Sequence, residues 1–174
     1  MDKKLIKELI KCNCVKVGEF KLRNGEMSKY YFDMKNLVSY PLLLKRIGDL
    51  IYWDMILGMG GCDILCGIPI GSIPICSYIS TTYNIPMIMV RPSVKKYGIR
   101  DNIVGEYKST DRCIIIDDVI TSGGSIEEVV EVLNGKVNLV GAAVIVDREQ
   151  GYKCSIPVAS KFKRSDFEEF QIEQ

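Results

Sequence analysis

The chain contains no histidine among its 174 residues. That absence excludes every Ser–His and Cys–His nucleophile system and removes the commonest protein metal ligand. Catalysis, if any, must come from carboxylates, lysines and arginines, backbone dipoles, a metal ion or the substrate itself. Net charge is also scarce, at +1 from 23 Lys and Arg against 22 Asp and Glu. Nothing in that balance points to a nucleic-acid or acidic-membrane partner. No apolar run approaches the roughly twenty residues of a membrane span. The N-terminal MDKKLIKELIKCNC lacks the apolar core of a signal peptide. Seven cysteines are present, but in a chain this long they do not read as a disulfide framework. Cys66, Cys76 and Cys113 lie in apolar surroundings and read as small core residues. The Cys12-x-Cys14 and Cys62-x3-Cys66 spacings do not form a zinc set. A reducing, cytoplasmic location is expected.

What is present is concentrated in Cys113 to Ser125, CIIIDDVITSGGS. Cys113, Ile114, Ile115 and Ile116 make a short, continuous, largely β-branched run, the pattern of a strand buried on both faces. Two carboxylates follow, Asp117 and Asp118. Then Thr121-Ser122-Gly123-Gly124-Ser125 forms a small-residue turn into a helix over 125–134. Such a turn presents backbone N–H groups at a helix N-terminus, where anions bind. The glycines admit a phosphate close to the backbone, and the three hydroxyls add donors. Phosphate plus paired acids point to a phosphorylated sugar, its hydroxyls donating to Asp117 and Asp118. The plain alternative is a polar turn with Ser125 as a helix N-cap. The stretch is no P-loop, since no Lys follows the glycines, and no dinucleotide fingerprint, since G-x-G-x-x-G is missing.

The remaining pattern is that of one α/β domain. A helix is predicted over 3–12, with strands near 17–22 and 29–33 joined at Asn24-Gly25. Pro41 suits the first turn of a helix running to about Trp53. Strands at 64–68, 86–91, 113–118 and 138–146 alternate with helices at 72–82 and 125–134. That alternation means a parallel twisted sheet flanked by helices on both faces. Ligands in such sheets bind beyond the C-terminal strand ends, where Gly67, Arg91 and Asp117 fall. The tail carries a weak strand at 156–160 and a short helix opened by Ser165-x-x-Glu168, a capping-box pattern. Gly71 and Ser72, in the turn GIPIGSIP, would offer backbone donors to an anion. Residues 92–110 form a long polar connection bearing Lys95, Lys96, Arg100 and Lys108. A connection of that length is usually functional or disordered, and this one suits a lid over an anion, the plain alternative being a solvated surface loop.

The phosphate-loop pattern resembles the phosphoribosyl-pyrophosphate signature of type I phosphoribosyltransferases. Gly18 to Gly25 (GEFKLRNG), Ser28 to Asp33 (SKYYFD), Ile85-Pro86-Met87, Arg91 to Gly98, and Val146 to Gly151 (VDREQG) are similar to the orotate phosphoribosyltransferases, in family order. The resemblance implies a single domain over 1–174, with about 1–40 and the C-terminal tail forming a small α+β hood over the base. It implies transfer of a phosphoribosyl group to orotate, yielding orotidine 5′-monophosphate, with Mg²⁺ as cofactor. The metal would be held mainly by substrate oxygens, and also by Asp117 or Asp118. Arg91, Lys95, Asp117 and Asp118 take the catalytic positions. Arg23, Gly71, Ser72, Lys96, Tyr97 and residues Thr121, Ser122, Gly123, Gly124 and Ser125 complete the phosphoribosyl-pyrophosphate contacts. Tyr31, Phe32, Thr121 and Arg148 take the orotate positions, Arg148 offering a bidentate fork to the carboxylate. For Tyr31 and Phe32 the alternative is core packing.

Some positions depart from the family pattern. Arg23 stands for a usual Lys, Pro92 for a frequent basic residue, Lys96 for a frequent acid, and Gly71 for a Lys common in bacterial members. A homodimer with shared active sites, whose lid reaches the neighbouring site, is implied as well, and a fused decarboxylase is expected to be absent. Two other readings stay open at this stage. One is a phosphoribosyltransferase for uracil or a purine, which the Arg148 segment disfavours. The other is a phosphoribosyl-pyrophosphate-binding regulator without turnover, which retention of the acids, Arg91 and Lys95 disfavours.

Overall fold

The structure, a computed structural model, describes residues 2–21, 25, 27–91 and 102–170. The chain opens with helix α1 (Lys3–Lys11), whose first turn is capped by the Asp2 carboxylate accepting from Leu5 N–H at 3.0 Å. Such a cap is worth ~1 kcal/mol. Leu5, Ile6 and Leu9 form its buried stripe. Strands β1 (Val15–Lys21) and β2 (Met27–Phe32) then pair antiparallel as a separate two-stranded sheet. A 3-10 turn, Met34–Ser39, leads into α2 (Pro41–Leu50), with Pro41 in its first turn. The expected helix to about Trp53 does not stay α-helical. It widens to π-type turns over Ile51–Ile56.

The main sheet follows: β3 (Ile64–Gly67), α3 (Ile73–Tyr83), β4 (Met87–Val90), β5 (Ile103–Val104), β6 (Arg112–Ile120), α4 (Gly124–Leu133), β7 (Asn138–Asp147) and β8 (Val158–Lys163). The strand order is β5-β4-β3-β6-β7-β8. Every pairing is parallel except β4 with β5. The sheet is therefore mixed. The long connection after Arg91 hides this short edge strand, because two residues carry no readable periodicity. Of that connection, residues 92–101 lie outside the described residues.

Both faces of the sheet are covered, as the unbroken apolar strands require. In β6, Ile114 and Ile116 belong to a core shared with α1, α2 and α3. Cys113 and Ile115 join the opposite core, under Ile126, Val129 and Leu133 of α4. All seven cysteines are free, and burial pushes the thiols of Cys66 and Cys76 up to about 12.

The chain ends of the described fold meet. Tyr30 Oη donates to the Phe167 carbonyl at 3.2 Å, and Phe32 meets Phe167 edge to face at 5.2 Å. Lys3 pairs with Glu169. The tail helix is a 3-10 turn, Arg164–Phe170, and not the capping box its sequence predicts. Ser165 donates through N–H and Oγ to Glu149 instead, at 2.8 and 3.0 Å, and Glu168 takes Arg164 at 2.6 Å. A tertiary acceptor lying across the gap outcompetes the local one.

Candidate active site

Strand β6 is longer than its apolar run. It continues through both acids to Ile120 and stays paired with β7 as far as Ile120↔Asp147. Its other neighbour, β3, stops at Gly67↔Ile116. Asp117 and Asp118 thus stand beside the point where β3 ends and its chain turns away toward α3. This one-sided end of pairing opens a crevice at the C-terminal edge, as expected of such sheets. Asp118 N–H donates to Asp117 Oδ1 at 2.9 Å, and Val119 N–H donates to Asp118 Oδ1 at 3.0 Å. Asp117 is buried. Burial, and then the Asp118 carboxylate beside it, hold its carboxyl well above the usual carboxylate range. Two adjacent acids, one of them desolvated, make a site that gains from a cation or from sugar hydroxyls.

The turn after β6 is set by Gly123, not Ser125. Gly123 is the N-cap of α4, with φ +89°, and Ser125 lies inside the first helical turn. A Cβ on Gly123 would stand 2.7 Å from Cys154 Sγ and 2.8 Å from the Lys153 carbonyl. Both the backbone angle and the close approach therefore demand glycine. The first N–H to close on the helix is that of Glu127, donating to Gly123. The N–H groups of Gly124, Ser125 and Ile126 precede it, at the positive end of the helix dipole. Here lies a cavity of about 210 Å³ lined by Asp117 and by residues 119–126 and 128. The structure thus brings Thr121, Ser122, Gly123, Gly124, Ser125 and Asp117 into one cavity.

The turn after β3 is closed by Ser72, which is fully buried and donates its hydroxyl to the Ile68 carbonyl at 2.7 Å. Its side chain is spent on the turn, and only backbone could serve a ligand. Gly71 lies under the Asp118 carboxylate: a Cβ there would stand 2.0 Å from Oδ2. The loop and the acids are thus one unit. Arg91 ends β4, its N–H donating to the Asn102 carbonyl at 2.7 Å. It shares a second cavity, about 340 Å³, with Ile68, Pro69, Asn102, Ser125 and Glu128.

Arg148 follows β7, anchored by its N–H to the Ile120 carbonyl at 3.1 Å. Asp147 accepts from Glu149 N–H at 2.7 Å, and Glu149 accepts from Ser165. Tyr31 and Phe32 point to opposite faces of β2, as strand alternation dictates. Phe32 packs into the core, while Tyr31 is exposed beside Phe20 at 5.7 Å and Lys16 at 5.8 Å. Arg23, Lys95, Lys96 and Tyr97 lie outside the described residues. Lys35, which the sequence reading passed over, lies on the Met34–Ser39 turn against β6. Its only sequence signal is its position just after SKYYFD.

Among the described residues no three His, Cys, Asp or Glu converge as a metal site. No helix of the described residues is long and apolar enough to cross a membrane.

Residues 33–172 match the model of the phosphoribosyl transferase domain. The chain is 34% identical to the orotate phosphoribosyltransferase of Methanosarcina mazei over 168 residues, covering 94% of this chain and 84% of that one. It is 36% identical to that of Methanocaldococcus jannaschii, covering 88% of this chain and 87% of the relative. The crystal structure of orotate phosphoribosyltransferase from Aeropyrum pernix superposes with a TM-score of 0.84 at 26% identity, over 95% of this chain and 97% of that one. A β6 end whose Asp117 shares a cavity with an anion-ready helix N-terminus, and relatives matched along most of their length, place this chain in the orotate phosphoribosyltransferase family.

Proposed function

We propose that this chain transfers the phosphoribosyl group of phosphoribosyl pyrophosphate to orotate, giving orotidine 5′-monophosphate and pyrophosphate in pyrimidine biosynthesis. The observation that carries the reading is the shared cavity of Asp117 and the turn 121–125, beside the end of β3. The turn and the α4 N-terminus hold the 5′-phosphate through N–H groups and hydroxyls. Asp118 and Asp117 accept from the ribose hydroxyls, orienting C1 toward the base.

The bond from C1 to pyrophosphate breaks as the bond to the base nitrogen forms. The ribose passes through an oxocarbenium-like state, and negative charge grows on the leaving group. Arg91 neutralises part of that charge from the end of β4, joined by Lys95 and Lys96. Asp117 and Asp118 are suited to hold Mg²⁺, together with substrate oxygens and water. When bound, Mg²⁺ offsets the repulsion between the two carboxylates and the pyrophosphate. Arg148 supplies a planar fork that matches the orotate carboxylate. Tyr31 and Arg23 frame the base side under a hood made of the N-terminal segment and the tail, which Phe32 anchors from the core. Two chains pair as a homodimer with shared sites, in a reducing cytoplasm where free cysteines persist.

The test is nucleotide formation by the purified chain with phosphoribosyl pyrophosphate, Mg²⁺ and either orotate or uracil, for wild type and Arg148→Ala. Losing a charge-assisted partner in a desolvated pocket costs ~2–5 kcal/mol. Wild type is therefore expected to reject uracil strongly, and Arg148→Ala to lose most orotate turnover while keeping its affinity for phosphoribosyl pyrophosphate. Binding without turnover of any base would make the chain a regulator. Equal use of orotate by both forms would remove Arg148 from the base pocket.

A further inference from the structure

The turn facing the ribose acids is poor in positive charge. Gly71 brings no side chain, and the Asp118 carboxylate fills the space in front of it, with Cγ 2.5 Å and Oδ2 2.0 Å from where a Cβ would stand. An anion reaching this turn meets a carboxylate first. Like charges at such range repel strongly unless a cation stands with them.

The fold brings Lys35 to this place. The Met34–Ser39 turn that bears it packs against β6, the strand of Asp117 and Asp118. Lys35 Nζ stands 3.1 Å from Asp33 Oδ1, with 56% of its side chain exposed. Asp33 beside it holds the ammonium above its usual range, and Asp118 and Tyr31 act in the same direction. Asp33 Oδ1 is buried and accepts no well-aligned hydrogen bond among the described residues. The contact is one of charge between a mostly buried carboxylate and an ammonium whose outer side stays open to solvent. Lys35 need not leave Asp33 to meet a second anion, since an ammonium carries three donors and its outer side is open. Lysine suits the task, being a compact charge on a long flexible stem.

We propose that Lys35 binds the pyrophosphate group of the substrate from across the Gly71 turn, supplying the cation which that turn lacks. The proposal rests on the reading of the chain as a phosphoribosyltransferase, but not on the identity of its base. An alternative partner on the base side would be a carboxylate, and the two are separable by experiment.

Calorimetric titration of wild type, Lys35→Gln and Lys35→Arg with pyrophosphate plus Mg²⁺, and separately with ribose 5-phosphate, tests it, with steady-state kinetics alongside. Removing one charge-assisted contact is expected to weaken pyrophosphate binding by about tenfold in Lys35→Gln. KM for phosphoribosyl pyrophosphate should rise by the same factor. Ribose 5-phosphate affinity and KM for orotate should stay at wild-type values, and Lys35→Arg should recover most of the loss. Unchanged pyrophosphate affinity in Lys35→Gln overturns the proposal. So does a loss confined to orotate, or one shared equally by ribose 5-phosphate. The binding arms need no turnover, so failure with orotate leaves them intact. Wild type that binds neither pyrophosphate nor ribose 5-phosphate would sink the functional reading along with the proposal.

Discussion

Asp117→Asn should stabilise the ligand-free protein at alkaline pH while abolishing most of its activity. Asp117 is only 6% exposed, and burial, followed by repulsion from Asp118, raises its carboxyl above the usual range. A carboxyl with a higher pKa folded than unfolded holds its proton more tightly when folded. The resulting stability is fully present below the unfolded value, ~3.9. It is lost as pH climbs from there through the raised folded value. The steepest slope for one proton is ~1.4 kcal/mol per pH unit. Asn keeps the shape and keeps an oxygen for the Asp118 N–H, which donates at 2.9 Å, but it carries no charge to desolvate. Relative to wild type it should gain ~1–3 kcal/mol at pH 8 and nothing near pH 4. For a domain of this size each kcal/mol moves the midpoint by ~2–4 °C. The assay is thermal unfolding without ligand across pH 5–8. That window is quiet otherwise, because the chain has no histidine. A wild-type midpoint that stays flat or rises over the window would refute the reasoning. So would an Asn variant less stable than wild type at pH 8, since either result would mean that the carboxylate is already partnered.

Two further outcomes follow from the same crevice. Gly71→Ala should drive the Asp118 carboxylate off its place and break its bond to Val119 N–H. Overpacking of that kind costs ~1–3 kcal/mol, and KM for phosphoribosyl pyrophosphate should rise. Gly71→Lys should lose activity for the same reason. Wild-type kinetics from either variant would show that Asp118 yields freely. If two chains share their sites as proposed, an inactive Lys95→Ala chain mixed with an inactive Asp117→Asn, Asp118→Asn chain should regain activity. No recovery despite demonstrated subunit exchange would mean that each lid serves its own chain.

The run from Cys113 to Ser125 determined much by itself. Four apolar, largely β-branched residues without alternation read as a strand covered on both faces, and acids followed by a glycine turn read as its outlet. The family blocks at Ser28 to Asp33 and Val146 to Gly151 tied that outlet to orotate chemistry. These are local signals, and local patterns survive in one dimension. What tertiary structure decided depends on neighbours distant in sequence. β5 exists because β4 offers it an edge. Ser165 abandons its capping box because Glu149 stands near. Gly123 must be glycine because Lys153 and Cys154 press on it, thirty residues away. Asp117 and Asp118 differ in burial because successive residues of β6 point to opposite faces of the sheet, and both stand in the crevice because β3 ends at Gly67 while β7 continues to Asp147. Gly71 looks in sequence like the loss of a cation, and in space it is the room that Asp118 occupies. Lys35 bears no motif at all. Its charge gains meaning only where packing of the Met34–Ser39 turn on β6 sets it among the acids.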